Sequence, residues 1–240
     1  MPECIHGLEI PLCDICYPKA QPVTPVAVRT ARAPRTARIA GVSTSRKSID
    51  PARQRVYHVT HIDNLESILD ADRLSADAVP VVDLSTSLTR ELRLTAEVAP
   101  GRSVADHVPF YLAPTALRWD ELRRGADDET RWSAAARAAA SVDFVVLVTT
   151  VSALGADAVV ADGDAAASLT RFATGEKITE ALTRLHDTES FDAGEVLAPG
   201  EVDFGVIQLI GVANDRVRDR VREQTSTKVA VYPPWFQAEQ

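Results

Sequence analysis

Several short stretches of this chain carry apolar and β-branched side chains in the pattern of strands. The stretch at 144–151 is continuously apolar, as expected of a strand that is buried on both faces. Shorter stretches of the same kind are bounded by polar or turn-forming residues, and each predicts a further strand. They lie at residues 56–60, 108–112, 158–161, 195–197, 206–212 and 228–232.

Other segments repeat apolar residues at the spacing of a helix. The first follows Asp63 and Glu66, which have the form of a capping box, with Ile62, Leu65 and Ile68 at helical spacing. Further helices are predicted at 130–141, 166–172, 176–186 and 214–224. Since strands and helices mix without a regular βαβ alternation, the predicted fold class is α+β.

Composition divides the 240 residues into three parts. Residues 17–52 are rich in Pro, Ala and Arg and lack apolar periodicity, which is typical of a linker. They separate a short segment with Cys and His, at 1–16, from a folded domain at 53–240. No apolar run reaches membrane-spanning length and the first residues lack the features of a signal peptide, so a cytoplasmic protein with no membrane partner is expected.

Charge is distributed unevenly along the chain. Between residues 17 and 49 there are seven basic residues and no acidic one, whereas the rest carries 19 basic and 34 acidic residues. An acidic body is not an obvious nucleic-acid binder, because attraction to phosphates dominates such affinity. The basic segment could supply that attraction, or it could be a solvated linker.

All three cysteines lie near the start of the chain, too few and too close for a disulfide framework. With one histidine they form two close pairs, which together supply the four ligands of a tetrahedral zinc site. A segment this short could not fold without a metal. The sequence therefore predicts structural zinc, with a disordered tail of reduced thiols as the alternative; the ligands would be Cys4, His6, Cys13 and Cys16.

Two residues are candidates for chemistry on a sugar. His58 lies in the first predicted strand, where a histidine can be hydrogen-bonded in the core, can pair with His61 on a metal, or can hold a ribose hydroxyl or nicotinamide. Glu195 opens a later strand. A carboxylate that accepts a bond from the 2′-hydroxyl stabilises the positive charge that develops when a nicotinamide–ribose bond breaks. The ordinary alternative is a solvated glutamate at a strand end.

Four further segments occur in order along the chain: YHVTHIDNLESIL at 57–69, DHVPFYLAP at 106–114, DGDAAASLTRF at 162–172 and EVLAP at 195–199. Together they resemble the DarT family of DNA ADP-ribosyltransferase toxins. The resemblance covers roughly residues 56–212. It implies an ADP-ribosyltransferase-like mixed sheet core with surrounding helices, NAD as co-substrate and a nucleobase in single-stranded DNA as acceptor.

The resemblance also implies roles for particular residues. Glu195 matches the catalytic glutamate, and the loop at 186–194 would position the acceptor. Of two arginines, Arg93 is preferred over Arg90 as the one that engages NAD and helps to deprotonate the base. Contacts to NAD are implied for His58, Val59, Thr60, Arg90 and Arg93.

These features together predict a transferase that moves ADP-ribose from NAD to a base in single-stranded DNA and releases nicotinamide. Single strands are favoured independently, because a paired base nitrogen inside a duplex cannot reach the anomeric carbon. The resemblance implies the toxin of a toxin–antitoxin or phage-defence pair, with a macrodomain-type antitoxin hydrolase as partner. Two alternatives remain open: transfer to RNA or protein, and a degenerate module that only binds NAD or nucleic acid.

Overall fold

The computed structural model describes residues 48–238 of the chain. The predicted zinc ligands Cys4, His6, Cys13 and Cys16 lie outside this range, as does nearly all of the predicted linker. Within it, no helix combines the length and the apolar character needed to cross a bilayer.

Strands and helices are numbered here in chain order. The strands are β1 (Arg55–His61), β2 (Arg73–Ser75), β3 (Glu97–Ala99), β4 (Arg102–Ser103), β5 (His107–Tyr111), β6 (Phe144–Thr150), β7 (Val159–Ala161), β8 (Phe172–Thr174), β9 (Glu195–Pro199), β10 (Glu201–Asp203), β11 (Leu209–Val212) and β12 (Val229–Val231). The helices are α1 (Leu65–Ala71), α2 (Ser87–Thr95), α3 (Leu117–Arg123), α4 (Ala134–Ala138), α5 (Lys177–Asp187) and α6 (Asp215–Arg222).

One large mixed sheet organises these elements. Its eight strands lie in the order β12-β11-β6-β1-β5-β9-β7-β8. Strands β11 and β12 pair in parallel, and the other neighbours are antiparallel. Two small ladders, β2 with β10 and β3 with β4, lie outside it. The predicted α+β class is confirmed.

The two faces of the sheet are covered differently. One face carries a single buried cluster that runs through the sheet and includes Val56, Phe110, Leu147, Val196 and Ile210. The opposite face carries two separate clusters. The tryptophan cluster, over β1, β6 and β11, includes Tyr57, Trp119, Trp132, Phe144, Val146 and Leu209. The small cluster, over β7 and β9, includes Val104, Val159, Ala161, Ala165 and Leu197. Strand β5 lies between these two clusters in the sheet.

The segment that leads into α2 is attached to the start of the domain by one asparagine. The Asn64 amide donates to the carbonyl of Val82 at 2.9 Å and accepts from the Val82 amide at 2.7 Å. Helix α2 then begins after Thr86, whose hydroxyl accepts from the amide of Thr89 at 3.1 Å. These bonds fix the helix that carries Arg93 relative to β1.

Most predicted strands are confirmed within about two residues at their ends, as is usual for element boundaries. Helices 176–186 and 214–224 are confirmed as α5 and α6, the latter capped by Asn214. Strand 206–212 is confirmed only from Leu209. A short 3-10 turn at Phe204–Val206 precedes it, because the Asp203 carboxylate accepts from the Gly205 amide.

The helix predicted at 166–172 is wrong. Asp164 and Asp162 bind the backbone locally instead: Asp164 accepts from the Ala166 amide at 3.1 Å, and Asp162 accepts from the Arg171 amide at 2.8 Å. Such side-chain bonds offer the backbone an alternative to a helix. The alanine-rich segment therefore forms a turn rather than a helix, and β8 begins at Phe172.

Two further details of the helix predictions are corrected. The helix at 130–141 is shorter than predicted, because the Ser133 hydroxyl caps it by accepting from the Ala136 amide, and only α4 is helical. The capping box on Asp63 does not form. His61 caps the 3-10 turn there through its Nδ1, which accepts from the Asp63 amide at 3.2 Å, while Asp63 pairs with Arg220.

Candidate active site

Glu195 is the first residue of β9, between β5 and β7. Its register partners are Tyr111 on β5 and Ala161 on β7, so the three side chains share one face of the sheet. Gly194 precedes it, and a Cβ at that position would come within 2.7 Å of the Leu112 side chain. This close approach lets β9 begin here and places Glu195 at the break between the tryptophan cluster and the small cluster.

The Glu195 carboxyl is buried without full hydrogen bonding. The residue is 4% exposed, and its Oε2 has no hydrogen-bond partner in the described range. Burial raises the pKa of Glu195 to about 7, against the nearby Arg93 cation, which acts to lower it. Buried polar atoms are normally paired, so an orphaned carboxylate oxygen in a cleft marks a candidate ligand site.

Arg93 is the positive charge closest to this carboxyl. Its Nη1 lies 4.0 Å from Glu195 Oε2, and its Nη2 donates to the Val104 carbonyl at 3.4 Å. The same cation contributes to a lowered pKa at His58 and at His107, so it is a shared neighbour of several site residues. Of the two arginines considered in the sequence, Arg93 is therefore the one that lies beside Glu195.

His58 occupies a gap in the sheet. Strand β1 pairs with β6 along its whole length, but its register with β5 is limited to Tyr57 opposite Tyr111. Beyond that pair the His58 ring bridges the two strands, with Nδ1 2.8 Å from the Pro109 carbonyl. A carbonyl can only accept, so Nδ1 carries the proton. Burial lowers the pKa of His58, which keeps the ring neutral and leaves Nε2 as an acceptor.

The other residues predicted to contact NAD are engaged differently. The Thr60 hydroxyl accepts from the Asn64 amide at 3.1 Å, and Val59 packs against the tryptophan cluster. The side chains of Thr60 and Val59 therefore make contacts within the fold. A ligand could reach the main chain of β1 on the side that faces β5. Arg90 pairs with Asp83 and donates to the Ser85 carbonyl, with about half of its side chain exposed. No contact joins Arg90 to Glu195 among the described residues.

Two residues on β5 belong to the site although sequence reasoning assigned them no role. Burial and the neighbouring Glu195 raise the pKa of the Tyr111 phenol, which keeps it a neutral donor. His107 is buried, bonds the Ser103 carbonyl through Nδ1 at 2.8 Å, and has an unpartnered Nε2. Both lie in the second of the four motifs, DHVPFYLAP, and this motif is the sequence feature that could have identified them as site residues.

A second arginine lies near Glu195 from another direction. Arg118 Nη1 is 3.0 Å from Asp164 Oδ2, and the guanidinium lies over the Trp132 ring at 5.6 Å from its centroid. Both charges influence the pKa of Glu195, Asp164 raising it and Arg118 lowering it. The Ala165 amide, next to Asp164, also lowers it. Nothing local in the sequence signalled Arg118.

The loop at residues 186–194, which was predicted to position the acceptor, is hydrogen-bonded to the start of α3. The Leu117 amide donates to the Asp192 carbonyl at 2.9 Å, which joins the start of α3 to residues 186–194. The His186 and Phe191 rings lie 5.7 Å apart beside an open depression. Phe191 is half-buried beside this depression, whereas Trp119 and Trp132 are buried in the tryptophan cluster.

The arrangement suits chemistry on a cationic sugar. Arg93 and Arg118 are the cations near the Glu195 carboxyl, and Arg93 also lies near the neutral ring of His58. No cluster of metal-ligating side chains occurs between residues 48 and 238. The carboxylate can accept a hydrogen bond from a hydroxyl group and stabilise positive charge. The arginines can donate hydrogen bonds to phosphate or carbonyl oxygens.

Comparison with known proteins gives a consistent result. A sequence profile of the family described as "DarT: ssDNA thymidine ADP-ribosyltransferase, DarT" matches residues 57–237. A DNA ADP-ribosyl transferase from Mycobacterium tuberculosis (strain ATCC 25618 / H37Rv) is 29% identical over 202 residues, which cover 73% of this chain and 86% of the relative.

Two solved structures are similar in fold. Thermus sp. 2.9 DarT in complex with ADP-ribosylated ssDNA matches with a TM-score of 0.63 and 22% identity, over 76% of this chain and 96% of that one. The same protein in complex with NAD+ matches with a TM-score of 0.60 and 20% identity, over 79% of this chain and 99% of that one.

Proposed function

Because this chain belongs to the DarT family and is an NAD-dependent ADP-ribosyltransferase that acts on single-stranded DNA, we propose that transfer takes place in the cleft over β5, with Glu195 as the catalytic carboxylate. The observation that carries this proposal is the buried Glu195 Oε2 without a partner, 4.0 Å from Arg93. NAD is the co-substrate; its nicotinamide riboside would lie against the His58–Thr60 part of β1.

In this proposal the bond between the nicotinamide nitrogen and the ribose anomeric carbon breaks, and its electron pair leaves with nicotinamide. The carboxylate of Glu195 accepts a hydrogen bond from the 2′-hydroxyl and stabilises the oxocarbenium-like charge, more strongly in the transition state than in the bound substrate. A ring nitrogen of the acceptor base then bonds to the anomeric carbon, and the proton of that nitrogen passes to solvent.

Arg93 would act on both partners of the reaction. Its fixed positive charge helps to keep Glu195 ionised and stabilises the anion that forms as the base loses its proton. His58, as a neutral ring with a free Nε2, would accept a hydrogen bond from NAD. Arg90 lies on the same helix and would act on NAD only through its hold on the Asp83–Ser85 turn.

We propose thymine as the acceptor base, from the description of the matched family. The test is mass spectrometry of nucleosides from oligonucleotides that each contain one of the four bases, treated with protein and NAD. ADP-ribosylated thymidine from single strands, and much less from the matched duplex, supports the proposal. Label found only on RNA or on protein would contradict it, and nicotinamide release without any modified polymer would favour hydrolysis alone.

We further propose a cytoplasmic toxin of a toxin–antitoxin or phage-defence pair, because modification of DNA bases blocks templating. Expression of the wild-type chain should arrest growth of a bacterial host, and a macrodomain-type hydrolase expressed with it should restore growth. Growth that continues while modified DNA accumulates would contradict the toxin role.

The division of the chain into 1–16, 17–52 and 53–240 also remains a proposal. It is supported by the two close Cys and Cys/His pairs, which suit structural zinc. Metal analysis of the purified full-length protein should find about one zinc per chain, lost when Cys13 and Cys16 are replaced by serine. Metal content that does not change in that variant would contradict the site.

A further inference from the structure

Arg118 is an arginine of the cleft to which the reaction described above assigns no role. Its side chain is 19% exposed, so part of it is accessible to a ligand, and its guanidinium is ion-paired with Asp164. Asp164 binds Nη1 at 3.0 Å from one side, and the Trp132 ring supports the plane from another. Trp132 is itself fixed, since its Nε1 donates to Glu121 Oε2 at 3.3 Å.

Two contacts of neighbouring residues connect the Arg118–Asp164 pair to the acceptor loop and to the catalytic carboxyl. Next to Arg118 in the chain, the Leu117 amide donates to Asp192 of the acceptor loop. Next to Asp164, the ion-pair partner of Arg118, the backbone amide of Ala165 hydrogen-bonds the Glu195 carboxyl. A group held by Asp164 and next to Leu117 is therefore close to where an acceptor must approach the anomeric carbon.

The charge balance of the pair indicates what Arg118 can bind. Arg118 and Asp164 together are neutral, so they add little to the general attraction for phosphates. The ion pair instead fixes the orientation of the Arg118 guanidinium. Asp164 binds one of its nitrogens, and among the described residues the structure shows no partner for the remaining N–H donors. A guanidinium fixed in this way suits a planar acceptor edge with carbonyl oxygens, as presented by a base that has left its stack.

We propose that Arg118 is an acceptor-reading residue, held by Asp164 and Trp132 beside Glu195 so that its free N–H groups donate to a carbonyl oxygen of the base that receives ADP-ribose. This inference rests on the proposed function. It assigns base recognition to a residue on α3, separate from the NAD-contacting strand β1 and from Arg93. Thymine, with a carbonyl on each side of its ring N–H, fits such a donor.

The test compares Arg118→Gln with Arg218→Gln, a control whose guanidinium is also ion-paired and 28% exposed but lies on α6, beside the edge strand β12. Transfer to a single-stranded oligonucleotide and NAD hydrolysis without DNA are measured for each, together with the salt dependence of the KM for the oligonucleotide. Thermal unfolding shows whether the variants are folded.

The expected result is a rise of about 10- to 100-fold in KM for the oligonucleotide in Arg118→Gln, the range for one good contact to a base edge. Preference among bases should relax, the salt slope should stay unchanged, and transfer should fall at least about tenfold more than NAD hydrolysis. Asp164→Asn should show a smaller loss of the same kind. Should Arg118→Gln fail to fold, Asp164→Asn and Arg118→Lys carry the test, with the same shift in base preference expected.

Three outcomes would overturn the inference. An unchanged base preference with a reduced salt slope would make Arg118 a phosphate contact, and equal losses of transfer and NAD hydrolysis would make it a support for Glu195. Unchanged kinetics in a folded Arg118→Gln would remove it from the site. A wild-type protein that modifies no oligonucleotide would instead overturn the proposed function, and this inference with it.

Discussion

Arg93 and Glu195 face each other across the cleft with Nη1 4.0 Å from Oε2, a separation that is too long for a hydrogen bond. The arginine is therefore close enough to favour the carboxylate form, yet it leaves Oε2 free to accept from another donor. A direct ion pair would occupy that oxygen. In the proposed reaction the free oxygen is the atom that receives the 2′-hydroxyl of NAD.

The two arginines of α2 should separate in their effects on catalysis. Arg93→Lys moves the charge and removes the planar group beside Glu195, so kcat for transfer should fall by about 100-fold, comparable with the loss of one preorganised donor. Arg90→Lys should cost less than about tenfold, because Arg90 contacts Asp83 and Ser85 rather than Glu195. Steady-state transfer assays on both variants check this. Equal losses would place Arg90 in the site as well.

Activity should depend on pH through Glu195. The reactive form is the carboxylate, and burial raises the pKa of this residue to about 7. Transfer should therefore rise with pH up to and through about 7 and then level off. Profiles of kcat/KM for NAD between pH 5.5 and 8.5 would show it. Arg93→Gln should move the midpoint to higher pH, since Arg93 lowers the pKa of Glu195. A profile that is flat across the whole range in the wild type would contradict this account.

The same raised pKa predicts a pH-dependent cost in stability. Below pH 4.5 the carboxyl is protonated in the folded and unfolded states alike. Between 4.5 and about 7 the unfolded chain gives up the proton while the folded chain retains it, so the free energy of unfolding falls as pH rises through that window.

Glu195→Gln removes this cost. At pH 8 the variant should be more stable than the wild type, by no more than about 3.5 kcal/mol, because folding raises the pKa of Glu195 from 4.5 to about 7. Near pH 4.5 the two should be nearly equal. Chemical denaturation at both pH values makes the comparison, and a variant that is less stable than the wild type at pH 8 would argue against a strained buried carboxylate.

His58 and His61 form a matched pair for testing the gap between β1 and β5. His58→Ala removes the bridge to Pro109 and the free Nε2, so KM for NAD should rise by about tenfold, the effect of one hydrogen bond. His61→Ala loses a turn cap and a ring contact with Phe144, and should affect stability more than KM. NAD titrations of both variants distinguish them. The reverse order of effects would move the NAD site away from the gap.

Much of the fold could be predicted from local pattern. Strand β6 is continuously apolar because both of its faces are buried, and α5 has one apolar stripe that packs on the main cluster. The sequence does not predict helix α2: Leu88 and Leu92 lie at helical spacing, but the segment is short and none of its residues is buried. Alanine content predicts a helix after Asp164 but says nothing about the aspartates that bind the backbone there.

The candidate site divides in the same way. The sequence predicts Glu195, Arg93 and His58 as site residues because each lies in a motif or a charge pattern. The ion pair of Arg118 with Asp164 joins residues that are distant in sequence, and the gap at His58 depends on two strands that separate after one register pair. Neither is a property of any local segment, so both required the structure.

The most direct test of the central claim uses Glu195→Gln, which keeps the shape of the side chain and removes its charge. NAD binding is measured by calorimetry, and modified nucleosides are measured by mass spectrometry after incubation with a single-stranded oligonucleotide. We predict a Kd for NAD within about threefold of the wild type, because the bond from the 2′-hydroxyl to Glu195 stabilises the transition state more than the bound substrate, and a loss of transfer of at least about a thousandfold. A variant that transfers ADP-ribose as fast as the wild type would contradict the account.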